Sequence, residues 1–506
     1  MGEYQTMTMS TRSGVLVVAL AVAAGAFAQY PKATLDRILD EGKNHSQVNQ
    51  ILAFLTGEIG PRVTSSPNLA KAQTRIMDKL IGWGLKNVHL EQWGEFPLGW
   101  HRGDTQIGRM VEPFDEPFAF STPCWAPGTQ GPVRGVALRQ PESAAEVNAD
   151  PQKYRGVWII MPRPVGMGGP SIAAPTELDT ALDRAGIAGR VYSSGAEIIW
   201  AAGRGRDITW DTRPQRVLVT IRKSDYDRIL RSLDRNRKVE LEFGLENHVW
   251  KGPVRQYNVV ADLPGWQYPE EQIIISAHLD SWDAPGSQGA SDNGTGSSVM
   301  LEAIRILAKS NVRPRRTIRL VLWSGEEQGL LGSVAYVNKR RDSLDQIVAM
   351  FNDDGGSNYQ GGLNLIPAWM PFFKPLEPIM NAAFPDTPLK FNEVSQVARG
   401  GGSDHVPFLN AKVPGFHWTE TGKQVYRYVW HTQHDRIENT FPDYLRQSAT
   451  NTALAAYMLA THPERLPRPK DDQWGAGGRR PGGGLGDDTF PGDHDHDHDH
   501  DHDHDH

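Results

Sequence analysis

RTIRLVLWSGEEQG, residues 316–329, runs from an apolar stretch into two adjacent carboxylates, Glu326 and Glu327. The apolar part is short, continuous and closed by a Ser-Gly pair, the pattern of a strand buried on both faces. Two like charges at the tip of such a strand are either a solvated turn or a site where each carboxylate has its own task.

The flanking segments decide the fold. EQIIISAHLD (271–280) is a second apolar strand, followed by an amphipathic helix, GSSVMLEAIRILAKS (296–310). After the opening stretch come a helix, LLGSVAYVNKRR (330–341), and a third strand, QIVAMFNDD (346–354). DYLRQSATNTALAAYMLATH (443–462) reads as a closing helix. Strands alternating with helices predict a three-layer α/β/α sandwich around a mixed, largely parallel sheet.

Ligands of open α/β sheets bind at the carboxyl ends of the strands, and polar residues gather there. His278 and Asp280 end the first strand, Glu326 and Glu327 the second, and Asp353 and Asp354 the third. Asp292 lies in GASDNGTG (289–296), and WHTQHD (430–435) supplies His431, His434 and Asp435. Singly, these residues read as helix caps, turns and surface pairs. Together, carboxylates converging on one crevice cannot all ionise cheaply without a cation. Imidazoles with carboxylates and no thiolate suit zinc. The donors are too many for one open tetrahedral site, so two metals sharing a bridging carboxylate are expected.

HLDSWD, GASDNGTG, LVLWSGEEQGLLGS, NDDGG, GGSDHVPF and WHTQHD resemble, in order, the motifs of the M28 family of di-zinc peptidases. LTGEIGPRVTSSPNLAKAQTRIMDKLIGWGL (55–85) and HLDSWD are similar to its carboxypeptidase Q (plasma glutamate carboxypeptidase-like) branch. The resemblance spans roughly residues 35–462 and implies a zinc-exopeptidase fold with an inserted protease-associated (PA) domain. It implies two Zn2+ per chain. His278 and Asp354 would hold one, Glu327 and His431 the other, and Asp292 would bridge them. Asp353 and His434 are the alternatives to Asp354 and His431. Asp280 would orient His278, and Glu326 would be the general base, moving a proton from the attacking water to the leaving amine. Ser403, Asp404 and His405 of GGSDHVPF would wall the site or form a capped Gly-rich turn. The branch often has two adjacent histidines where this chain has Trp430 and His431.

The implied activity is exopeptidase cleavage of dipeptides or short peptides. An M28 aminopeptidase is the alternative, and a non-catalytic binding protein on the same fold ranks below both. A peptide substrate is the expected partner, with a homodimer as the candidate assembly.

The rest of the chain frames this core. GVLVVALAVAAGAFA (14–28) follows Arg12 and ends in a small-x-small pattern, so a signal peptide cleaved after Ala28 is expected. Its apolar run of about 15 residues is short of the ~20 a bilayer needs, so the protein should be secreted or periplasmic, with no membrane attachment after cleavage. Residues 29–116 should open the peptidase domain, 117–250 form the inserted α/β unit and 251–465 the catalytic part. Residues 466–506 should be a disordered Gly/Pro-rich linker and tail. The net charge is −7, and the seven aspartates of the Asp-His tail at 493–506 account for it. The remainder has no basic field for nucleic acid. The tail is either solvated or a loose zinc trap. One cysteine, Cys124, excludes an internal disulfide or a Cys-based metal site and reads as a small buried residue.

Overall fold

A computed structural model describes residues 30–477 apart from 167–169, 171–174, 202 and 204–207. The leader and the Asp-His repeats lie outside the described residues.

Helices α1 (Lys32–Asn44) and α2 (Pro67–Gly82), with shorter helical turns between them, precede the long strand β1 (Lys86–Glu112). The Ser66 side chain caps α2 by accepting from Leu69 N, and Pro67 fits its first turn. Residues 117–250, expected to be an insert and called so below, contribute β2 (Val133–Arg139), β3 (Trp158–Ile160), α3 (Glu177–Ala185), β4 (Gly189–Ser193), β5 (Leu218–Ile221) and α4 (Lys223–Asp234). The chain returns through β6 (Glu240–Leu263) and β7 (Tyr268–His278) to α5 (Thr295–Lys309), β8 (Arg316–Trp323), α6 (Leu331–Lys339) and β9 (Ile347–Asn352). β10 (Gly415–His417) and α7 (Pro442–Thr461) complete the core.

The main sheet runs β10–β9–β7–β8–β6 and continues through β2–β3–β4–β5. β7 pairs in parallel with both β8 and β9, and β6 is antiparallel to β8. Side chains alternate between its faces. Ile273 and Ile275 pack in one core with Met300, Ile304 and Leu454, whereas Ile274 packs in another with Trp323, Tyr336 and Phe408. Helices therefore cover both faces, and the sandwich is three-layered as expected.

α5 differs from its sequence reading. It is buried on every side from Thr295 to Leu307 rather than amphipathic. Its charged residues enter the core because they neutralise each other: Arg305 Nε lies 2.6 Å from Glu302 Oε2, and Glu41 closes the cluster.

The insert has its own core of Trp158, Val191, Val219, Leu241 and Phe243, which also takes Met110 of β1. β1 and β6 pair antiparallel from Lys86↔Asp262 to Glu112↔Glu240, so one ribbon serves both cores. A boundary at 250/251 falls inside β6.

Residues 466–477, expected to open a disordered linker, are placed against the core. Leu466 and Trp474 are buried, and Trp474–Gly477 pairs in parallel with Val397–Arg399. Arg468 Nη2 donates to Leu344 O at 2.7 Å and Ile347 O at 2.8 Å. A few such anchors order an extended segment that shows no apolar periodicity. No helix among the described residues is long and apolar enough to cross a membrane.

Candidate metal centre

Strand register brings the polar residues to one edge. His278 stands level with Trp323, and Asn352 level with Ser276. Glu326 and Glu327 lie just past the end of β8, and Asp354 just past β9. Gly325, at φ +73°, starts the turn into the glutamates; a Cβ there would meet Trp93 Cζ2 at 2.8 Å. Neither glutamate is a solvated turn residue, since their side chains are 10% and 4% exposed.

His278 Nε2 lies 3.2 Å from both Asp292 Oδ1 and Asp354 Oδ1. His431 Nε2 lies 3.0 Å from Asp292 Oδ2 and 3.1 Å from Glu327 Oε2. Asp292 thus turns one oxygen to each imidazole, and two groups of three donors share it. Donors around a tetrahedral zinc at about 2.0–2.1 Å stand roughly 3.3 Å apart, so each set is already spaced for one ion. Glu327 Oε1 is buried without a hydrogen-bond partner, as befits an oxygen facing a cation.

The members of both alternative pairs, Asp353/Asp354 and His431/His434, stand in different surroundings. Asp353 turns away, its Oδ2 accepting from Gln360 Nε2 at 2.6 Å. Burial, with Asp354 beside it, pushes its pKa up to about 7. His434 stacks on Tyr428, ring centroids 4.3 Å apart, and joins neither donor group. His431 sits against the stacked Trp430 and the edge of Trp282.

The electrostatics suit cation capture. Burial pushes Glu327 up to about 7, with the Asp292 charge adding to it and His431 opposing. Burial pulls His431 down, but Glu327 and Asp292 outweigh it and hold the imidazole near 10. His278 is likewise raised well above the usual imidazole range despite burial, through Asp354, Glu326 and Asp292. Burial disfavours the Asp292 carboxylate, yet both imidazoles hold it below the usual range. Glu326 is driven well above the usual carboxylate range by burial; His278 opposes the shift, and Asp354, Asp404 and Glu327 reinforce it.

The orientation of His278 departs from expectation. Its Nδ1 meets the backbone oxygen of Asp280 at 2.9 Å, while the Asp280 carboxylate lies 3.8 Å away. That carboxylate instead accepts from Thr64 Oγ1 at 2.7 Å and Glu326 N at 3.3 Å. Asp404 begins a short helix without capping it; it accepts from Ser333 Oγ, and burial raises it to about 8. Ser403 accepts from Asn352 Nδ2, and His405 is buried with Nδ1 unpartnered. None of the three joins a donor group. Cys124 is buried and free, its thiol pushed up chiefly by burial.

Residues 258–456 match peptidase family M28. The chain carries a peptidase family M28 domain. It is 28% identical over 436 residues to mouse (Mus musculus) carboxypeptidase Q, covering 84% of this chain and 88% of the relative. Its fold is shared by a peptidase M28 precursor from Shewanella amazonensis, with a TM-score of 0.61, 22% identity and coverage of 90% and 100%. A zinc aminopeptidase from Bacillus subtilis matches with a TM-score of 0.52, 18% identity and coverage of 84% and 98%. The chain is therefore an enzyme of the peptidase class.

The M28 domain does not support its centre alone. Arg62, fully buried and outside residues 258–456, donates to Leu279 O at 2.8 Å, Gly289 O at 2.7 Å and Gly60 O at 2.9 Å. It grips the loop between His278 and Asp292 at both ends. Gly289, at φ +59°, has room for nothing larger: a Cβ would meet Ser281 Oγ at 2.3 Å. Asp435 ties the same loop from the other side, accepting from Ser291 N at 2.5 Å and Asp292 N at 3.3 Å. Sequence reasoning gave Arg62 and Asp435 no role. The GPR triplet in a polar loop before α2 was the available signal for Arg62, and the Asp closing WHTQHD for Asp435.

Proposed function

We propose that the protein is an exported di-zinc metallo-exopeptidase that hydrolyses dipeptides or short peptides. The observation that carries this reading is Asp292, whose two oxygens face two separate imidazole–carboxylate sets. His278, Asp292 and Asp354 would hold one zinc, and Asp292, Glu327 and His431 the other. Bound zinc would acidify a water and polarise the substrate carbonyl. Glu326 takes the proton of that water and returns it to the leaving amine nitrogen. Its Oε2 lies 3.9 Å from His278 Nε2, close to the donors without joining either group. Burial drives its pKa above the usual carboxylate range, the direction that suits a group which accepts a proton and gives it back.

Short-peptide cleavage is favoured because the carboxypeptidase Q likeness spans most of both chains. Export rests on the leader-like residues 1–28, and a homodimer is the assembly to look for. An aminopeptidase would use the same centre. The test is turnover of free dipeptides beside their N-blocked and C-blocked forms, with zinc measured on the same sample. Cleavage of free dipeptides with two zinc ions per chain is expected. Cleavage of C-blocked but not N-blocked peptides would assign an aminopeptidase, and no cleavage of any would sink the reading.

A further inference from the structure

Within residues 117–250, a short strip pairs directly with the backbone of the His431 loop. Ala201 N donates to His431 O at 2.7 Å, and Gln433 N donates to Ile199 O at 3.1 Å. The side chain of Gln433 closes the pairing, its Oε1 accepting from Ile199 N at 2.6 Å. Trp200 and Thr432 form the intervening antiparallel bridge. The clamped residue is unusual. His431 has φ +54°, a left-handed conformation uncommon away from glycine. A second tie lies alongside. The insert backbone passes so close to Trp282 that a Cβ on Gly203 would meet its Cζ3 at 2.6 Å. The edge of Trp282 in turn packs on the His431 ring, centroids 6.0 Å apart.

We propose that residues 199–201 of the insert are a positioning element for His431, so that the insert sets the affinity of one metal position and not the other. His278, Asp292 and Asp354 receive no hydrogen bond from this strip among the described residues, and their loops are held by Arg62, Asp435 and the β7–β9 register. The His431 loop is tied at Asp435 to the loop of Asp292, and at 431–433 its backbone pairs with residues 199–201. Fixing its backbone fixes the direction of Nε2, and supporting contacts of this kind commonly govern metal affinity.

This inference rests on the reading of His431 as a zinc ligand. The test uses the full chain with two variants. Ala201→Pro removes the donor to His431 O, and Gln433→Leu removes the acceptor for Ile199 N. Zinc affinity at each position is read by chelator competition, beside the melting temperature of metal-free protein. The expected result is a loss of about 10–100-fold for one zinc equivalent, with the other changed less than about twofold and metal-free melting lowered by no more than one lost hydrogen bond accounts for. Unaltered affinity at both positions in both variants overturns the proposal. So does an equal loss at both positions with lowered metal-free melting, which would mark a general structural role. Wild-type protein binding fewer than two zinc ions would instead overturn the two-metal reading beneath it.

Discussion

Glu326 and Glu327 are neighbours in sequence with different surroundings. Glu327 Oε2 faces His431 Nε2 at 3.1 Å, while Glu326 Oε2 stands 3.9 Å from His278 Nε2. Glu326→Gln should therefore lower kcat by about 10²–10⁴-fold with zinc content near wild type. Glu327→Gln should cost zinc. Metal analysis and turnover on the same samples check both, and metal loss from Glu326→Gln would make it a ligand. The raised imidazoles give a second prediction. Without metal, His431 keeps its proton below a pH of about 10 and His278 well above its usual range. Zinc must displace those protons, so its apparent affinity should rise with pH by at least about tenfold per unit between pH 6 and 8. A flat profile in competition titrations would show that the imidazoles are not the donors. Residue types and order were legible here. Asp354 was preferred to Asp353 through the family resemblance alone, since the residues themselves do not say which side chain the turn after β9 directs inward.

At the scale of elements, three buried strands set the height of the donors and the connecting loops set their direction. Arg62 is the main tie on the loop from His278 to Asp292. Arg62→Met would leave Leu279 O, Gly289 O and Gly60 O without this donor in a buried setting. At ~1–3 kcal/mol for each buried group left unsatisfied, metal-free stability should fall by about 3 kcal/mol or more. Denaturant unfolding reads this directly, and an unchanged midpoint would show that the loop is held by Asp435 and Ser281 alone. α5 marks the limit of pattern reading: Glu302 and Arg305 place charge at helical spacing, as a solvated face does, but here they pair inside the core.

At the scale of the whole molecule, the ends and the insert matter most. Removing 478–506 should leave peptide hydrolysis and melting temperature unchanged. Removing 466–506 also takes away Leu466, Arg468 and Trp474, and should lower the melting temperature by several degrees. Equal melting for the two truncations would show that the Trp474–Gly477 strand adds nothing. The insert is equally integrated: β1 and β6 run through both cores, and residues 199–201 touch the loop of His431.

The sequence by itself determined the local things. Apolar runs at strand length, helices between them and carboxylates at strand ends fix an α/β sandwich and name its reactive edge, because burial and backbone geometry act over a few residues. Only the tertiary structure decided what depends on distant segments meeting. Asp292 faces two imidazoles because the loop after β7 is pinned by Arg62 and Asp435, from opposite ends of the chain. Glu302 and Arg305 are buried because they find each other and Glu41. The backbone of His431 pairs with a segment more than two hundred residues earlier in chain order. Long-range hydrogen bonds of this kind leave no periodicity in the residues that make them, so no local pattern announces them.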